Sequence, residues 1–230
     1  MSHDSVLFPH IVELYEQATA RGENYFSFNV TFQGHGPYFS DAEYDHPYVE
    51  NKGYSEESYN YLNNYLAIAD DVDDALKDMV QSLRESEEPV VLILFGDHMP
   101  ALGDKNSAYE EFGISLDLST DEGFYNTYST PYVIWANDAA KRVLGNDFVG
   151  EGPTIGTNFL MNEFFRLAGY TGNEYMQYTA DLMQTFQCIH STGICLTPKG
   201  LCRELSPAQE EAYEEFMDVQ YYWRSNYQKK

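Results

Sequence analysis

The stretch Pro89-Val-Val-Leu-Ile-Leu-Phe-Gly-Asp-His-Met-Pro-Ala-Leu-Gly-Asp104 decides how the chain is read. Val90–Phe95 is an unbroken apolar run bounded by proline and glycine, the pattern of a strand buried on both faces. It ends in Gly96, and then an acid and a histidine stand side by side. Adjacent residues on a strand point to opposite faces, but at a strand's end the backbone turns, and Gly96 permits that turn. Asp97 has an ordinary alternative as the cap of a helix or turn. Met99-Pro100 is a poor opening for such a helix. An adjacent carboxylate and imidazole are also a donor pair for a divalent cation such as zinc or manganese.

Upstream, Ser55 to Glu85 carries Leu62, Tyr65, Leu66, Ala69, Val72, Leu76, Met79, Val80 and Leu83 at spacings of three and four, which predicts one long amphipathic helix. Before it, "YFSFNVTF" (Tyr25–Phe32) reads as a strand rich in aromatic and β-branched residues. It runs into "QGHGPY", where His35 stands between two glycines that let a backbone or ligand approach closely. A polar, tyrosine-rich loop follows over residues 38–54. "LFPHIVELYEQATARG" predicts an earlier helix stopped by Gly22. Downstream, "PYVIWAN" predicts a second buried strand at Tyr132–Ala136, and "TIGTNFLMNEFFRLAG" a helix ended by Gly169. Residues 206–224 open with Ser206, Pro207 and Gln209 in the order of a capping box.

Strand, helix, strand with continuous apolar strands predicts an α/β fold: a mostly parallel sheet with helices on both faces. Tyr25–Phe32, Val90–Phe95 and Tyr132–Ala136 are expected in one sheet, the first two parallel and joined right-handedly by the long helix. Ligands in such sheets collect beyond the carboxyl ends of the strands, which would bring His35, Asp97 and His98 to one cleft. No linker divides the chain, so 1–230 reads as part of a single domain, with 171–230 an extension of weaker pattern. His3, His10, His46 and His190 receive no role.

With 37 acidic against 13 basic residues and a net charge of −24, the chain would be repelled by a nucleic-acid backbone, and that partner class is excluded. At 43% hydrophobic and 16% aromatic, the 230 residues can bury a substantial core. No run approaches the ~18 apolar residues of a membrane span, and the N-terminus lacks the basic and apolar regions of a signal peptide. Cys188, Cys195 and Cys202 lie seven apart. No pair has zinc-ligand spacing. A Cys188–Cys195 bridge across the turn at Gly193 and three free thiols both remain open, and the odd count leaves at least one thiol unpaired.

The run "NNYLAIADDVDDALKDMVQSLRESEEPVVLILFGDHMPALGD", with "FSFNVTFQGHGPY" before it and "YSTPYVIWAN" and "TIGTNFLMNEFFRLAGY" after it, resembles the lipoteichoic acid synthases, phosphoglycerol transferases of the alkaline phosphatase and sulfatase superfamily. The likeness extends to about residue 170 and weakens through the cysteine region. It implies an alkaline phosphatase/sulfatase-like fold. It implies that Asp97 and His98 bind the catalytic divalent metal, manganese in the synthases, with zinc, magnesium and calcium as alternatives. It implies that His35 contacts the phosphate or glycerol of the substrate. The family's nucleophilic threonine, metal-binding glutamate and membrane helices match nothing here; Thr31 is not promoted to that role. The chain therefore corresponds to the C-terminal part of the catalytic domain, its N-terminal half absent, and is expected to be inactive alone. Implied partners are a phosphatidylglycerol-type lipid and a polymer or glycan acceptor. Membrane attachment would come only through upstream helices, at the outer face of the cell membrane. An uncovered sheet surface is expected to favour association. A sulfatase or phosphodiesterase-type hydrolase and a non-catalytic remnant remain as alternatives.

Overall fold

The computed structural model describes residues 3–41 and 46–226. They cluster into two compact units, Met1–Val143 and Leu144–Lys230.

In the first unit, α1 (Asp4–Ala20) packs on α2 (Glu56–Glu85). The long helix starts where its pattern places it, with the Ser55 hydroxyl accepting from the Ser58 amide and two glutamates in the first turn, complementing the helix dipole. After it come β1 (Val91–Phe95), the short α3 (Ala108–Glu111), α4 (Asp121–Tyr128), β2 (Tyr132–Ala136) and α5 (Asp138–Leu144). Phe8, Met79 and Leu83 form a buried cluster to which Leu92 and Trp135, a cross-strand pair, contribute from one face of the β1–β2 ribbon.

The strand at 90–95 and that at 132–136 are present, but their arrangement corrects the sequence expectation. β1 and β2 pair antiparallel, Val91 opposite Ala136 and Phe95 opposite Tyr132. Both sheets among the described residues are small and antiparallel. Tyr25–Phe32 forms no strand at all. Its alternating apolar side chains stand in solvent: Phe26 is 83% exposed, Phe28 69% and Val30 73%. A strand-like pattern describes a surface that fits between neighbours; without a strand to supply hydrogen-bond partners it fixes no strand. The parallel crossover between that segment and β1 is therefore not formed. The expected loop at 38–54 includes residues 42–45, which lie outside the described residues; its described parts carry no helix or strand.

One side chain ties β1 to the end of α2. Asn137, 1% exposed, follows β2 in the Trp135-Ala136-Asn137 run. Its Oδ1 accepts from the Val90 and Ala140 amides, and its Nδ2 lies within donating distance of the Leu83, Ser86 and Glu88 carbonyls. It thus satisfies the entry to β1, the exit of α2 and the start of α5 together.

The second unit holds α6 (Leu160–Ala168), stopped by Gly169 in the left-handed conformation. Then come α7 (Glu174–Leu182), a sheet of β3 (Cys188–Ile189), β4 (Cys195–Thr197) and β5 (Gly200–Cys202), and α8 (Pro207–Asn226). The start of α8 has the expected box. Gln209 Oε1 accepts from the Ser206 amide, with Pro207 in the first helical position. Phe159, Leu182, Phe186, Cys195 and Phe216 form the unit's buried core.

Candidate functional site

Asp97 and His98 follow the carboxyl end of β1 and are exposed, as is His35 on its own loop. The turn that presents the pair depends on Gly96. Its carbonyl accepts from Thr130 Oγ1 at 2.7 Å, and its amide donates to the Pro131 carbonyl at 3.2 Å. A Cβ at position 96 would stand 2.9 Å from the Thr130 Cβ, so only glycine allows this approach. The antiparallel pairing thus places the Ser129-Thr130-Pro131 segment, just before β2, directly beside the metal-binding candidates.

Asp97 Oδ2 and His98 Nε2 are 3.6 Å apart. Two donors each about 2.1 Å from one tetrahedral ion stand about 3.4 Å apart, so the pair has the spacing of two neighbouring ligands. His98 Nδ1 lies 2.9 Å from the Met99 carbonyl oxygen, and His35 Nδ1 lies 2.8 Å from that of Gly36. A carbonyl oxygen only accepts, so each Nδ1 carries a hydrogen, and in the neutral ring Nε2 is then the nitrogen with the lone pair. Backbone orientation of the distal nitrogen is the arrangement that fixes a ligating imidazole. Among the described residues no three His, Cys, Asp or Glu side chains converge on one point. Asp97 and His98 therefore fit a divalent cation as two of its donors and leave the rest of its shell to other groups.

The two histidine rings meet edge to face at 5.6 Å between centroids, and His35 stacks on Phe32 at 5.2 Å and 6°. Their meeting follows from a shared cluster behind them. Tyr38, four residues from Gly34, is buried with Leu102, Ala108 and Tyr109, and Met99 packs against the same group alongside Tyr61, Leu62, Tyr65 and Ile68 of α2. The Tyr38 hydroxyl donates to the Gly34 carbonyl at 2.6 Å, and the Tyr109 hydroxyl donates to the Pro100 carbonyl at 2.7 Å. Burial, with neighbouring phenols adding to it, pushes both hydroxyls up to about 12. Each stays a neutral donor, pinning the backbone beside one of the two histidines.

A second set of anchors lies on α2. Asn64 Oδ1 accepts from the Phe39 amide, Asn63 Oδ1 accepts from the Tyr48 amide, and Asn60 Nδ2 donates to the Ser40 carbonyl. On the other side of His35, the buried Gln33 Oε1 accepts from the Asp4 amide at 2.7 Å. The tyrosines and asparagines were missed in the sequence because an apolar-periodicity search counts Tyr as core and Asn as solvent-facing. The available signal was the Tyr59-Asn60-Tyr61-Leu62-Asn63-Asn64 run, where the asparagines share the buried side of a helix.

The sulfatase family profile matches residues 1–170. The chain belongs to the sulfatase family. It is also similar to a Rhizobium meliloti (strain 1021) protein named for the modification of cyclic beta-1,2-glucan, at 27% identity over 180 residues. That match covers 76% of this chain and 26% of the relative, so the chain spans about a quarter of that protein's length. No solved structure matches the chain. No described helix is long and apolar enough to cross a membrane.

Proposed function

We propose that this sulfatase-family chain is part of a metal-dependent phosphoglycerol transferase. Its donor substrate would be a phosphatidylglycerol-type lipid and its acceptor a glycan or a growing glycerophosphate polymer, at the outer face of the cell membrane. The observation that carries the reading is the Asp97–His98 donor pair at 3.6 Å with the His35 ring edge-on to it. A glycan acceptor is supported by the glucan named in the rhizobial relative.

In this reading Asp97 and His98 supply part of the shell of a divalent cation, manganese in the first instance. When bound, the cation would polarise phosphoryl oxygens and lower the pKa of an attacking hydroxyl. The chain's own residues do the rest of what is visible. With its Nδ1–H directed at the Gly36 carbonyl, the neutral His35 ring would present Nε2 as an acceptor for a glycerol hydroxyl hydrogen. Tyr38 and Tyr109 hold the two histidine loops in register with one another, which fixes the substrate contact relative to the cation. No residue of this chain is assigned as nucleophile. Family membership alone equally suits a hydrolase, in which water accepts the group.

The test uses membranes of cells expressing the complete reading frame, labelled phosphatidylglycerol and added manganese, with diacylglycerol release as readout. Manganese-dependent release, abolished by Asp97→Ala or His98→Ala and lowered by His35→Ala, with label moving to a glycan or polymer, supports the transferase. Label appearing only as free glycerophosphate points to the hydrolase. No effect of the three substitutions overturns the site.

A further inference from the structure

The cysteine region lies apart from these residues in sequence, in the second unit, and its sheet register makes a pairing that spacing alone does not. In the antiparallel β4–β5 hairpin, Cys195 lies directly opposite Cys202. In the β3–β4 pair, Cys195 faces Ile189, whereas Cys188 faces Leu196. Directly opposed residues share a face and consecutive residues alternate. Ile189, Cys195 and Cys202 therefore occupy one face of the small sheet, and Cys188, Leu196 and Leu201 the other. A Cys188–Cys195 bridge would have to cross the sheet, which disfavours the pairing considered from the turn at Gly193.

Opposed positions in an antiparallel pair have Cα atoms about 4.5–5.5 Å apart, inside the range of about 4.4–6.8 Å that a disulfide spans. We propose that Cys195 and Cys202 form a dithiol site that closes to an intramolecular disulfide on reaction with a small-molecule disulfide such as glutathione disulfide, leaving Cys188 as the free thiol.

All three thiols are reduced in this structure. Cys202 Sγ donates to the Glu204 carbonyl and Cys195 Sγ approaches the Gly193 carbonyl at 3.9 Å. These are weak contacts that a side-chain rotation releases. Cys195 is fully buried and Cys202 half-buried, so Cys202 meets the oxidant first. Burial, with the Cys188 and Cys202 thiols adding to it, pushes the Cys195 thiol up to about 11, which keeps it protonated and makes it the poorer first attacker; its attack in the second step relies on being held directly opposite the Cys202 sulfur. The Cys202 thiolate attacks one sulfur of the oxidant and expels one small thiol, forming a mixed disulfide. Cys195 gives up its proton, attacks the Cys202 sulfur and expels the second small thiol. The two protein thiols are oxidised together, and the oxidant is reduced to two thiols. The product staples β5 to a residue of the core that also holds Phe159, Leu182, Phe186 and Phe216.

Lys199 lies in the turn between the two cysteines and Arg203 follows the second, so trypsin separates Gly200–Arg203 from the segment holding Cys188 and Cys195 unless a bridge joins them. The 230-residue chain is incubated with glutathione disulfide, alkylated, digested and sequenced by fragmentation. The expected result is Gly200–Arg203 joined to Cys195, with Cys188 alkylated, and an oxidised protein that melts several degrees above the reduced one. Cys202→Ser, which leaves the core untouched, is expected to abolish both the cross-link and the melting shift. A bridge through Cys188, or a Cys202 that stops at the glutathione adduct while Cys195 stays reduced, would overturn the proposal. So would a melting shift that persists in Cys202→Ser.

Discussion

Two segments of the first unit share one sequence pattern and differ in what became of it. Tyr25–Phe32, rich in aromatic and β-branched residues, and Val91–Phe95, wholly apolar, both read as strands that lead to a glycine and a histidine. Val91–Phe95 pairs with Tyr132–Ala136 along five residues and is held at its entry by Asn137 and at its exit by Thr130. Tyr25–Phe32 has no strand beside it, and Phe26, Phe28 and Val30 are more than two-thirds exposed. Yet both deliver a histidine to the same place. What positions His35 is not a strand but the anchors after and beside it, Gln33, Tyr38 and the asparagines of α2. A β-like composition therefore states what a segment can do with a neighbour, and the polar contacts state where it is held.

The sharpest way to break the contrast is Asn137→Ala. It strips partners from two amides and from the three carbonyls that Nδ2 approaches, at a site 1% exposed. Unpaired buried groups cost about 1–3 kcal/mol each before relaxation, so a loss of about 3 kcal/mol is expected in urea unfolding. Hydrogen exchange should show faster exchange at β1 amides, while the amides of 25–31, which lie in no strand, already exchange freely. Protection of 25–31 in the wild type would remove the difference between the segments.

The tyrosine anchors give a pH test. Their folded values of about 12 lie above the ordinary value of 10.0. A raised pKa adds stability that is complete below the unfolded value and is lost as pH climbs through the folded one. The first unit should therefore weaken between about pH 10 and pH 12, by up to about 3 kcal/mol for each phenol. Tyr38→Phe should flatten part of that limb and cost about 1 kcal/mol at neutral pH through the lost hydrogen bond to Gly34. An unchanged alkaline limb in Tyr38→Phe would show that the hydroxyl is not held in this way.

Gly96→Ala should cost about 1–2 kcal/mol by pushing Thr130 aside, and should shift the Asp97 and His98 amide resonances with little change at His35. The smallest effect is expected for Phe26→Ser and Phe28→Ser, within about 0.5 kcal/mol of wild-type stability, because both side chains are exposed already. Their effect should be on association instead, read by sedimentation velocity as less self-association at high concentration.

Much of the first unit was legible. The three-four spacing placed α2, the bounded apolar runs placed β1 and β2, and the glycines marked the loops that present His35 and Asp97. Strand direction was not legible, because a continuous apolar run looks the same in a parallel or antiparallel partner. The anchoring network was also hidden. Asn63, Asn64 and Asn137 are buried with hydrogen bonds to backbone groups 15 to 54 residues away, although composition scales count asparagine as solvent-facing. The cysteine pairing needed the register, since equal sequence spacing treats Cys188 and Cys202 alike as partners for Cys195.

The central claim is that Asp97 and His98 are two donors to one cation with His35 beside them, and manganese itself is the direct probe. Substoichiometric Mn2+ added to the isotope-labelled chain broadens signals of nuclei near the bound ion, even when binding is weak. The account predicts that the His98 ring signals broaden first and those of His35 next, while those of His10 and His190 stay sharp. It predicts that Asp97→Ala removes the selectivity. Equal broadening at all histidines, or strongest broadening at His190, would contradict it.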